Sequence, residues 1–203
     1  YNQLTGSIPP ESDNLINLER LEISHTQITG EIPVEIFYLE NLIYLSLKNN
    51  QLTGTIPDEI GLMGTNFEII DVDDQVPWYY IWDPQFGIHN AGSINLGYNH
   101  LIGEIPESIC DLGNIFNLDL TGNQLNGSIP DCIGSLSNLH YLNFWLNQLS
   151  GEIPESICEL TYLNWTSNDD GWRESAIYNN NFCPPYPTCI EDYVGEQDTT
   201  ICD

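Results

Sequence analysis

A short pattern of hydrophobic and polar positions recurs along the chain at a nearly constant interval. In one clear copy, two leucines alternate with a polar residue at Leu45-Ser46-Leu47, and Asn50-Gln51-Leu52-Thr53-Gly54-Thr55-Ile56-Pro57 follows. An alternation with a period of two predicts a short strand with one buried face. Variants of the Asn-to-Pro segment begin at Asn2, Asn99, Asn123 and Asn147. The pattern therefore predicts successive coils of one solenoid, each with a strand and a turn.

The first residue of each copy serves as an anchor, and the interval between anchors is constant with two exceptions. The step from Asn50 to Asn99 is about twice the regular step, which predicts a hidden, degenerate, aromatic-rich repeat at 67–93. The step from Asn147 to Asn180 is also long and predicts an insertion near 164–175. We expect about eight coils in one domain over 1–193, with a C-terminal cap and acidic tail at 183–203. The anchors are Asn2, Thr26, Asn50, Asn99, Asn123, Asn147 and Asn180.

Each part of the repeat has a physical role. The anchor asparagines are expected to point inward, where a column of side-chain amides can pair backbone groups that no regular ladder reaches. Gly54 lies at a predicted bend, and Pro57 stiffens the return path without an N–H group that would need a partner. Ile60 is expected to fill the convex side of the core. One coil cannot bury its leucines alone, so stability depends on stacked neighbours.

The segment Leu-Thr-Gly-x-Ile-Pro resembles the plant-type subclass of leucine-rich repeats, found in receptor-kinase ectodomains and polygalacturonase-inhibiting proteins. The resemblance implies an α/β solenoid: a right-handed superhelix with a parallel concave β-sheet, 3-10 helices or loops on the convex side, and a disulfide-bonded C-terminal cap. It also implies a recognition module, with inhibition of a secreted enzyme as one option. The Tyr- and Asp-rich composition and the segment from Cys183 to Gly195 look more like bacterial surface proteins that carry this repeat.

The six cysteines occupy repeat positions that favour particular pairs. Two pairs have equal offsets from their anchors, and equal offsets imply equal geometry in successive coils. The remaining two cysteines would attach the tail to the last coil. The predicted disulfides are Cys110–Cys132, Cys158–Cys189 and Cys183–Cys202. The alternative is Cys183–Cys189, which resembles the cysteine loop that closes many plant ectodomains.

The composition is strongly acidic, with 30 Asp and Glu against 3 Lys and Arg and a net charge of −27. This charge argues against nucleic acid and anionic membrane as partners, because both would be repelled. A solubilising surface, a basic partner and Ca²⁺ binding all remain open. Weak calcium candidates are Asp71, Asp73 and Asp74, whose oxygens lie in an irregular segment. No other cofactor is expected.

The six cysteines and two Asn-x-Ser/Thr glycosylation candidates, Asn126 and Asn164, predict an extracellular or cell-surface location. No stretch is long and apolar enough to insert directly into a membrane. The four histidines fall in different repeat columns, and no nucleophile motif is present. We therefore expect no enzymatic activity.

The variable strand positions predict a ligand-binding surface on the concave face. Exposed aromatic side chains with polar neighbours suit a protein hot spot or a polysaccharide. The candidate ligand-binding residues are Tyr44, Lys48, Tyr98, Tyr141, Trp145 and Tyr178. A second candidate interface, Trp78, Tyr79, Tyr80 and Trp82, has as its alternative a role in filling the core.

Two functions are compatible with these features. The first is an extracellular recognition module that binds a protein or glycan through its concave face. The second is a structural surface protein that self-assembles head to tail, because the chain starts at Tyr1 inside a repeat and would expose an uncapped sheet edge.

Overall fold

A computed structural model describes residues 3–67, 92–163, 165 and 175–202 of the chain. These residues form short strands and 3-10 helices that alternate along the chain. The strands are β1 Thr5–Gly6, β2 Arg20–Glu22, β3 Gln27–Gly30, β4 Tyr44–Ser46, β5 Gln51–Leu52, β6 Gly92–Asn95, β7 Ile102–Glu104, β8 Ile115–Asp119, β9 Gln124–Asn126, β10 Tyr141–Asn143, β11 Ser150–Gly151 and β12 Asn181–Phe182. The 3-10 helices are η1 Pro10–Asn14, η2 Val34–Tyr38, η3 Asp58–Asn66, η4 Glu107–Leu112, η5 Asp131–Ser135 and η6 Glu155–Glu159.

The main sheet is parallel and takes one strand from each successive coil. Its order is β2-β4-β6-β8-β10. Ala176 then adds one more bridge beside Asn143. We call the solvent side of this sheet the concave face. The alternating leucines predict its strands, and the resemblance to leucine-rich repeats implies their parallel arrangement.

A second, narrower set of strands follows each anchor residue. β1, β3 and β5 pair in parallel, as do β7 with β9 and β11 with β12. Backbone hydrogen bonds also join the groups, since the amide of Ile102 donates to the carbonyl of Gly54 at 2.9 Å and that of Ser150 to Gly127 at 2.7 Å. These strands form a flank between the concave face and the 3-10 helices.

The 3-10 helices lie opposite the main sheet, and the sequence explains their type. Each helix follows or begins at a proline segment, and the preceding prolines have φ between −76° and −56°. Apolar residues then recur three positions apart, as in Ile109 and Leu112 or Ile133 and Leu136, and all four are fully buried. A spacing of three matches the three residues per turn of a 3-10 helix, so both side chains face the core.

The core lies between the main sheet and the 3-10 helices and runs the length of the solenoid. The leucines of the inner coils are completely buried, since Leu45 and Leu47 are 0% exposed. Their counterparts in the first coil, Leu21 and Ile23, are only partly buried. Within the described residues, no helix is long and apolar enough to cross a bilayer.

The anchor asparagines form the inward-pointing column that the sequence predicts. Asn123 is typical: its Oδ1 accepts from the amide of Leu101 at 3.1 Å, and its Nδ2 donates to the carbonyls of Leu96 at 3.1 Å and Leu120 at 3.0 Å. Equivalent bonds are made by Asn50, Asn99, Asn147 and Asn180. The column therefore ties each coil to the one before it.

Gln197 adds a further inward-pointing amide, or rung, to this column, and the sequence analysis did not predict it. Its Oε1 accepts from the amide of Phe182 at 3.3 Å, and its Nε2 donates to the carbonyls of Ile177 at 3.2 Å and Val194 at 2.6 Å. These are the bonds of an anchor asparagine. The signal was present in the sequence, because Val194-x-x-Gln197 repeats the spacing of Leu-x-x-Asn with a longer amide.

The prediction of a degenerate coil at 67–93 is wrong. β4 pairs directly with β6, with Leu45 opposite Ile94. On the flank, the amide of His100 donates to the carbonyl of Leu52 at 2.8 Å. Neither the main sheet nor the flanking strands therefore leave room for another coil between the coil of Leu45 and the coil of Ile94.

The long step from Asn50 to Asn99 is instead one coil with an insertion. Phe67 and Gly92 bound the inserted segment, and they lie together: a Cβ on Gly92 would be 2.3 Å from the Phe67 ring. The second insertion, near 164–175, enters at the equivalent point, between a 3-10 helix and the next row of the main sheet, which resumes at Ala176. The described chain is therefore interrupted at the same edge of the main sheet in both places.

Three disulfides join the C-terminal coils: Cys110–Cys132, Cys158–Cys189 and Cys183–Cys202. These are the pairs that the repeat offsets predict. The bond between Cys183 and Cys202 joins the coil of Asn180 to the segment that follows Gln197.

Candidate functional site

The concave face is built from positions that recur in every coil. Tyr44 lies opposite Ser93, which lies opposite Asn117, which lies opposite Tyr141. Alternate residues of a strand point to one side, so the positions two and four residues later share this face. The third column consists of Ser24, Lys48, Gly97, Thr121, Trp145 and Tyr178.

Four of the six predicted ligand-binding residues are in continuous contact. The Lys48 ammonium lies 5.5 Å from the centroid of the Tyr98 ring. The rings of Tyr98 and Trp145 meet edge to face, with centroids 6.0 Å apart. Trp145 and Tyr178 stack at 5.2 Å, with an angle of 26° between their planes. We call Lys48, Tyr98, Trp145 and Tyr178 the aromatic strip.

The other two predicted residues lie outside the strip. Tyr44 sits beneath the guanidinium of Arg20, which is 4.1 Å from its ring centroid. Tyr141 contacts Phe116, at 5.5 Å between centroids. Both occupy the first column, which is about 13 Å along the strands from the third, because four residues separate them. All six predicted residues therefore lie on the concave face, but in two separate places.

The residue before each anchor adopts a left-handed backbone. This column has φ from 53° to 64° and comprises His25, Asn49, Tyr98, Gly122, Leu146 and Asn179. Asparagine and glycine tolerate this conformation, whereas a bulky side chain in it costs roughly 1–2 kcal/mol. Tyr98 and Leu146 nevertheless occupy it, and they are 37% and 47% exposed. Such strain in exposed side chains is a feature that functional sites share.

Glycines make room for two rings of the strip. A Cβ on Gly122 would lie 2.8 Å from Cδ1 of Tyr98, and a Cβ on Gly195 would lie 2.5 Å from Cβ of Tyr178. Both glycines also have positive φ. Any other residue at either position would displace the neighbouring ring, so these glycines position the strip.

A polar cluster adjoins the strip. Asp119 is 10% exposed in its side chain, and its Oδ2 lies 3.5 Å from Nζ of Lys48. Its Oδ1 accepts from the amide of Thr121 at 3.0 Å, and Oδ1 of Asn95 accepts from the amide of Gly97 at 3.1 Å. The hydroxyl of Thr121 is buried and has no hydrogen-bond partner in the described structure.

The charge of the concave face differs from that of the chain. Its described positions carry three acids, Glu22, Asp119 and Glu196, and two bases, Arg20 and Lys48. The face is therefore nearly neutral, although the whole chain has a net charge of −27.

Burial and this arrangement raise the pKa of two tyrosines. Burial, the Asp119 carboxylate and Tyr178 raise the pKa of Tyr98 above 10.0. Burial and Glu22 raise the pKa of Tyr44, while a hydrogen bond with Ser46 and the charge of Arg20 oppose the shift. Both phenols therefore stay protonated at neutral pH.

A separate aromatic stack lies near the start of strands β8 and β10. The His140 ring lies between Phe116, at 4.3 Å, and Tyr162, at 4.6 Å. Its Nδ1 is 2.8 Å from the carbonyl of Asn138. Tyr162 is 59% exposed. The stack is distinct from the aromatic strip and was not predicted.

Several predicted residues lie outside the described part of the chain. They are the calcium candidates Asp71, Asp73 and Asp74, the second interface Trp78, Tyr79, Tyr80 and Trp82, and the glycosylation candidate Asn164. The other glycosylation candidate, Asn126, is exposed at the end of β9. Among the residues that the structure does describe, no group of three or more His, Cys, Asp or Glu side chains could hold a metal ion.

Comparison with known proteins identifies the repeat. The sequence model of the family described as Leucine Rich Repeat matches residues 17–39, 41–63, 92–112, 114–136 and 138–160, which is more than half of the chain. No curated protein has a significantly similar sequence.

Three of the solved structures with similar folds are described here. A TDR receptor is 33% identical over 89% of this chain, with a TM-score of 0.70. PEPR1 with AtPEP1 is 28% identical over 91%, with a TM-score of 0.72. The Arabidopsis receptor kinase HAESA, in complex with the peptide hormone IDA and the co-receptor SERK1, is 28% identical over 97%, with a TM-score of 0.70. This chain spans only 26%, 21% and 32% of their respective lengths.

The recurring strand, inward anchor amide and 3-10 helix thus coincide with the segments that the family's sequence model matches. The chain belongs to the leucine-rich repeat family.

Proposed function

We propose that this chain is an extracellular recognition module that binds a polypeptide ligand through the aromatic strip. The observation that carries the proposal is the unbroken contact from Lys48 through Tyr98 and Trp145 to Tyr178 on a nearly neutral face. Aromatic residues that cluster in this way are typical of binding hot spots. The three disulfides suit an oxidising, extracellular setting.

The ring geometry favours a polypeptide over a glycan. A sugar stacks on the open face of an aromatic ring. Trp145 and Tyr178 stack on each other, Tyr98 covers Gly122, and Lys48 lies over the Tyr98 ring. The strip therefore offers mainly ring edges and polar tips, which suit backbone carbonyls and apolar side chains. Complexes of similar solenoids with peptide hormones, such as HAESA with IDA, agree with this choice.

The test is selection of binders from a random-sequence displayed peptide library, with a glycan array in parallel. Trp145→Ala should weaken the selected peptides by at least about tenfold, as expected for a hot-spot residue. Tyr162→Ala is the matched control, because it removes an exposed ring outside the strip. Equal losses in both variants, or binders only on the glycan array, would contradict the proposal.

Head-to-tail assembly is the second candidate function. It is favoured by the apolar side chains of the neighbouring residues Leu15 and Ile16, which are 52% and 66% exposed. Light scattering across a range of protein concentrations tests it. A mass that stays at one chain at every concentration would remove this candidate and leave recognition by a monomer.

A further inference from the structure

One asparagine on the flank differs from the anchor asparagines in the role of its side chain. Asn126 ends β9 and is exposed, and its side chain makes no hydrogen bond with the described residues. Asn123, three residues earlier, is buried, and its side-chain oxygen and nitrogen are both bonded to backbone groups. Nδ2 of Asn126 is therefore uncommitted, whereas that of Asn123 is part of the fold.

Asn126 also begins the motif Asn126-Gly127-Ser128, the acceptor sequence for an N-linked glycan. The backbone bends at Gly127, where φ is 73°, and Ser128 is exposed. The next coil attaches here through backbone groups, since the amide of Ser150 donates to the carbonyl of Gly127 at 2.7 Å. A substituent on Nδ2 of Asn126 therefore breaks no hydrogen bond that holds the coils together.

We propose that Asn126 is an N-glycosylation site whose glycan covers the flank and leaves the concave face open. Nδ2 of Asn126 attacks C1 of an oligosaccharide that a lipid diphosphate carries. The N–C1 bond forms, the C1–O bond breaks, the lipid diphosphate leaves with the electron pair, and Nδ2 loses one proton. A secretory pathway supplies this donor, and the three disulfides suit the same route. The inference shares only this extracellular setting with the proposed function and does not depend on the aromatic strip.

The position of Asn126 determines what the glycan covers. Asn126 lies three residues after its anchor, and Ile102 has the same place in the preceding coil. Ile102 is 48% exposed. A glycan is bulky and hydrophilic, so it shields this apolar side chain from other macromolecules. The residues of the aromatic strip all precede their anchors, on the main sheet, so the glycan and a ligand of the strip occupy different faces.

Secretion of the chain from cultured eukaryotic cells tests the site. Mass spectrometry of the intact glycopeptides assigns each glycan to Asn126 or to the other candidate, Asn164. Most of the secreted chain should carry a glycan on Asn126. Ser128→Ala keeps the acceptor nitrogen but removes the motif, and it should abolish this modification. An unmodified Asn126 in a secreted chain with its disulfides formed would overturn the proposal.

Two further variants test the structural reasoning. Thr53→Asn creates the same type of motif at the equivalent place in another coil, because Gly54 and Thr55 follow and φ of Gly54 is 80°. It should also be glycosylated, and a glycan there with none on Asn126 would contradict the assignment. Asn126→Gln should leave the urea midpoint of the glycan-free chain unchanged, because the side chain makes no hydrogen bond with the described residues. A clearly lowered midpoint would show that the fold uses this side chain and would overturn the argument.

Peptides selected on the aromatic strip separate this inference from the proposed function. Their affinity should be the same for the glycosylated chain and for Asn126→Gln, because the glycan lies on the flank. Tighter binding to Asn126→Gln would overturn the claim that the glycan leaves the concave face open. Binding that depends on Trp145 with no glycan on Asn126 would keep the proposed function and overturn the glycosylation site. A glycan on Asn126 without any peptide that depends on Trp145 would keep the site and overturn the strip.

Discussion

Replacing Asn123 by alanine tests how much the inward amides hold adjacent coils together. The residue is 8% exposed, and its side chain bonds to three backbone groups in two adjacent coils. It accepts from the amide of Leu101, and it donates to the carbonyls of Leu96 and Leu120. Alanine removes all of these bonds and admits no replacement from the chain.

The bonds do not contribute equally. The Leu101 amide has Asn123 as its acceptor in the described structure, so its loss leaves a buried donor unpaired, at about 1–3 kcal/mol. The carbonyl of Leu96 also accepts from Asn99, and that of Leu120 also accepts from Asn147. Each carbonyl therefore loses one of two bonds, at about 1 kcal/mol each. Asn123→Ala should lower the free energy of unfolding by about 3–5 kcal/mol.

Urea unfolding with the disulfides intact measures this difference from the shift in midpoint, provided that the m-value is unchanged. Gln124→Ala is the matched control, because this neighbouring side chain is exposed; it should change stability by less than about 0.5 kcal/mol. Gln197→Ala should cost about 1–2 kcal/mol, because this rung is only partly buried. A loss below about 1 kcal/mol for Asn123→Ala would refute the reasoning, since a single orphaned amide already accounts for that much.

Three further predictions concern the strain, the disulfides and the titration of the concave face. Leu146→Asn should raise the free energy of unfolding by about 1 kcal/mol and Asn179→Leu should lower it similarly, because asparagine tolerates the left-handed backbone better; changes of the same sign in thermal unfolding would be inconsistent with this. Replacing Cys110 and Cys132 together by serine should lower stability by about 3 kcal/mol, since the bond joins cysteines at a sequence separation of 22, and an unchanged urea midpoint would argue against it. The folded pKa of Tyr98 lies above 10.0, so its stabilising effect is present below that pH and is lost as the pH rises through the folded pKa. Stability of the unmodified chain should therefore fall more steeply in this range than that of Tyr98→Phe, and parallel pH profiles would exclude the shift.

The regular coils were predictable from the sequence because each rule acts within one repeat. The alternating leucines specify a strand, the anchor amide specifies a turn, and an apolar spacing of three after proline specifies a 3-10 helix. Because the coils are equivalent, the same positions meet in space. This equivalence is why the offsets of Cys110 and Cys132 were sufficient to predict their disulfide.

The long step from Asn50 to Asn99 shows where this logic stops. Spacing alone cannot distinguish an additional coil from an insertion in an existing one, because both lengthen the chain by a similar amount. The direct pairing of Leu45 with Ile94 decides between them. Gln197 shows the opposite error: the rung is present, but it follows Asn180 by less than one regular repeat. Hydrogen bonds between coils show which segments are neighbours in space, whereas the sequence shows only the number of residues between successive anchors.

The concave face was predictable as a set of columns but not as contacts. Alternation identifies which side chains point outward, yet it does not show that Tyr98 lies over Gly122 and reaches Trp145, or that Lys48 crosses Gly97 to reach Asp119. Both contacts depend on a glycine in an adjacent coil. Their sequence signal is therefore a glycine at the repeat position that matches a large side chain in the coil before it, as Gly122 matches Tyr98 and Gly97 matches Lys48.

The repeat also separates stability from recognition, with one exception. Inward amides and leucines stabilise the stack, and most outward positions can change without affecting it. Tyr98 and Leu146 break this separation, because their left-handed backbone is set by the turn before the anchor asparagine and is strained for a bulky residue. A residue that served only the fold would be asparagine or glycine there, as at Asn49 and Gly122. The proposed binding surface accounts for this strain, because it would present large side chains at the end of the strands.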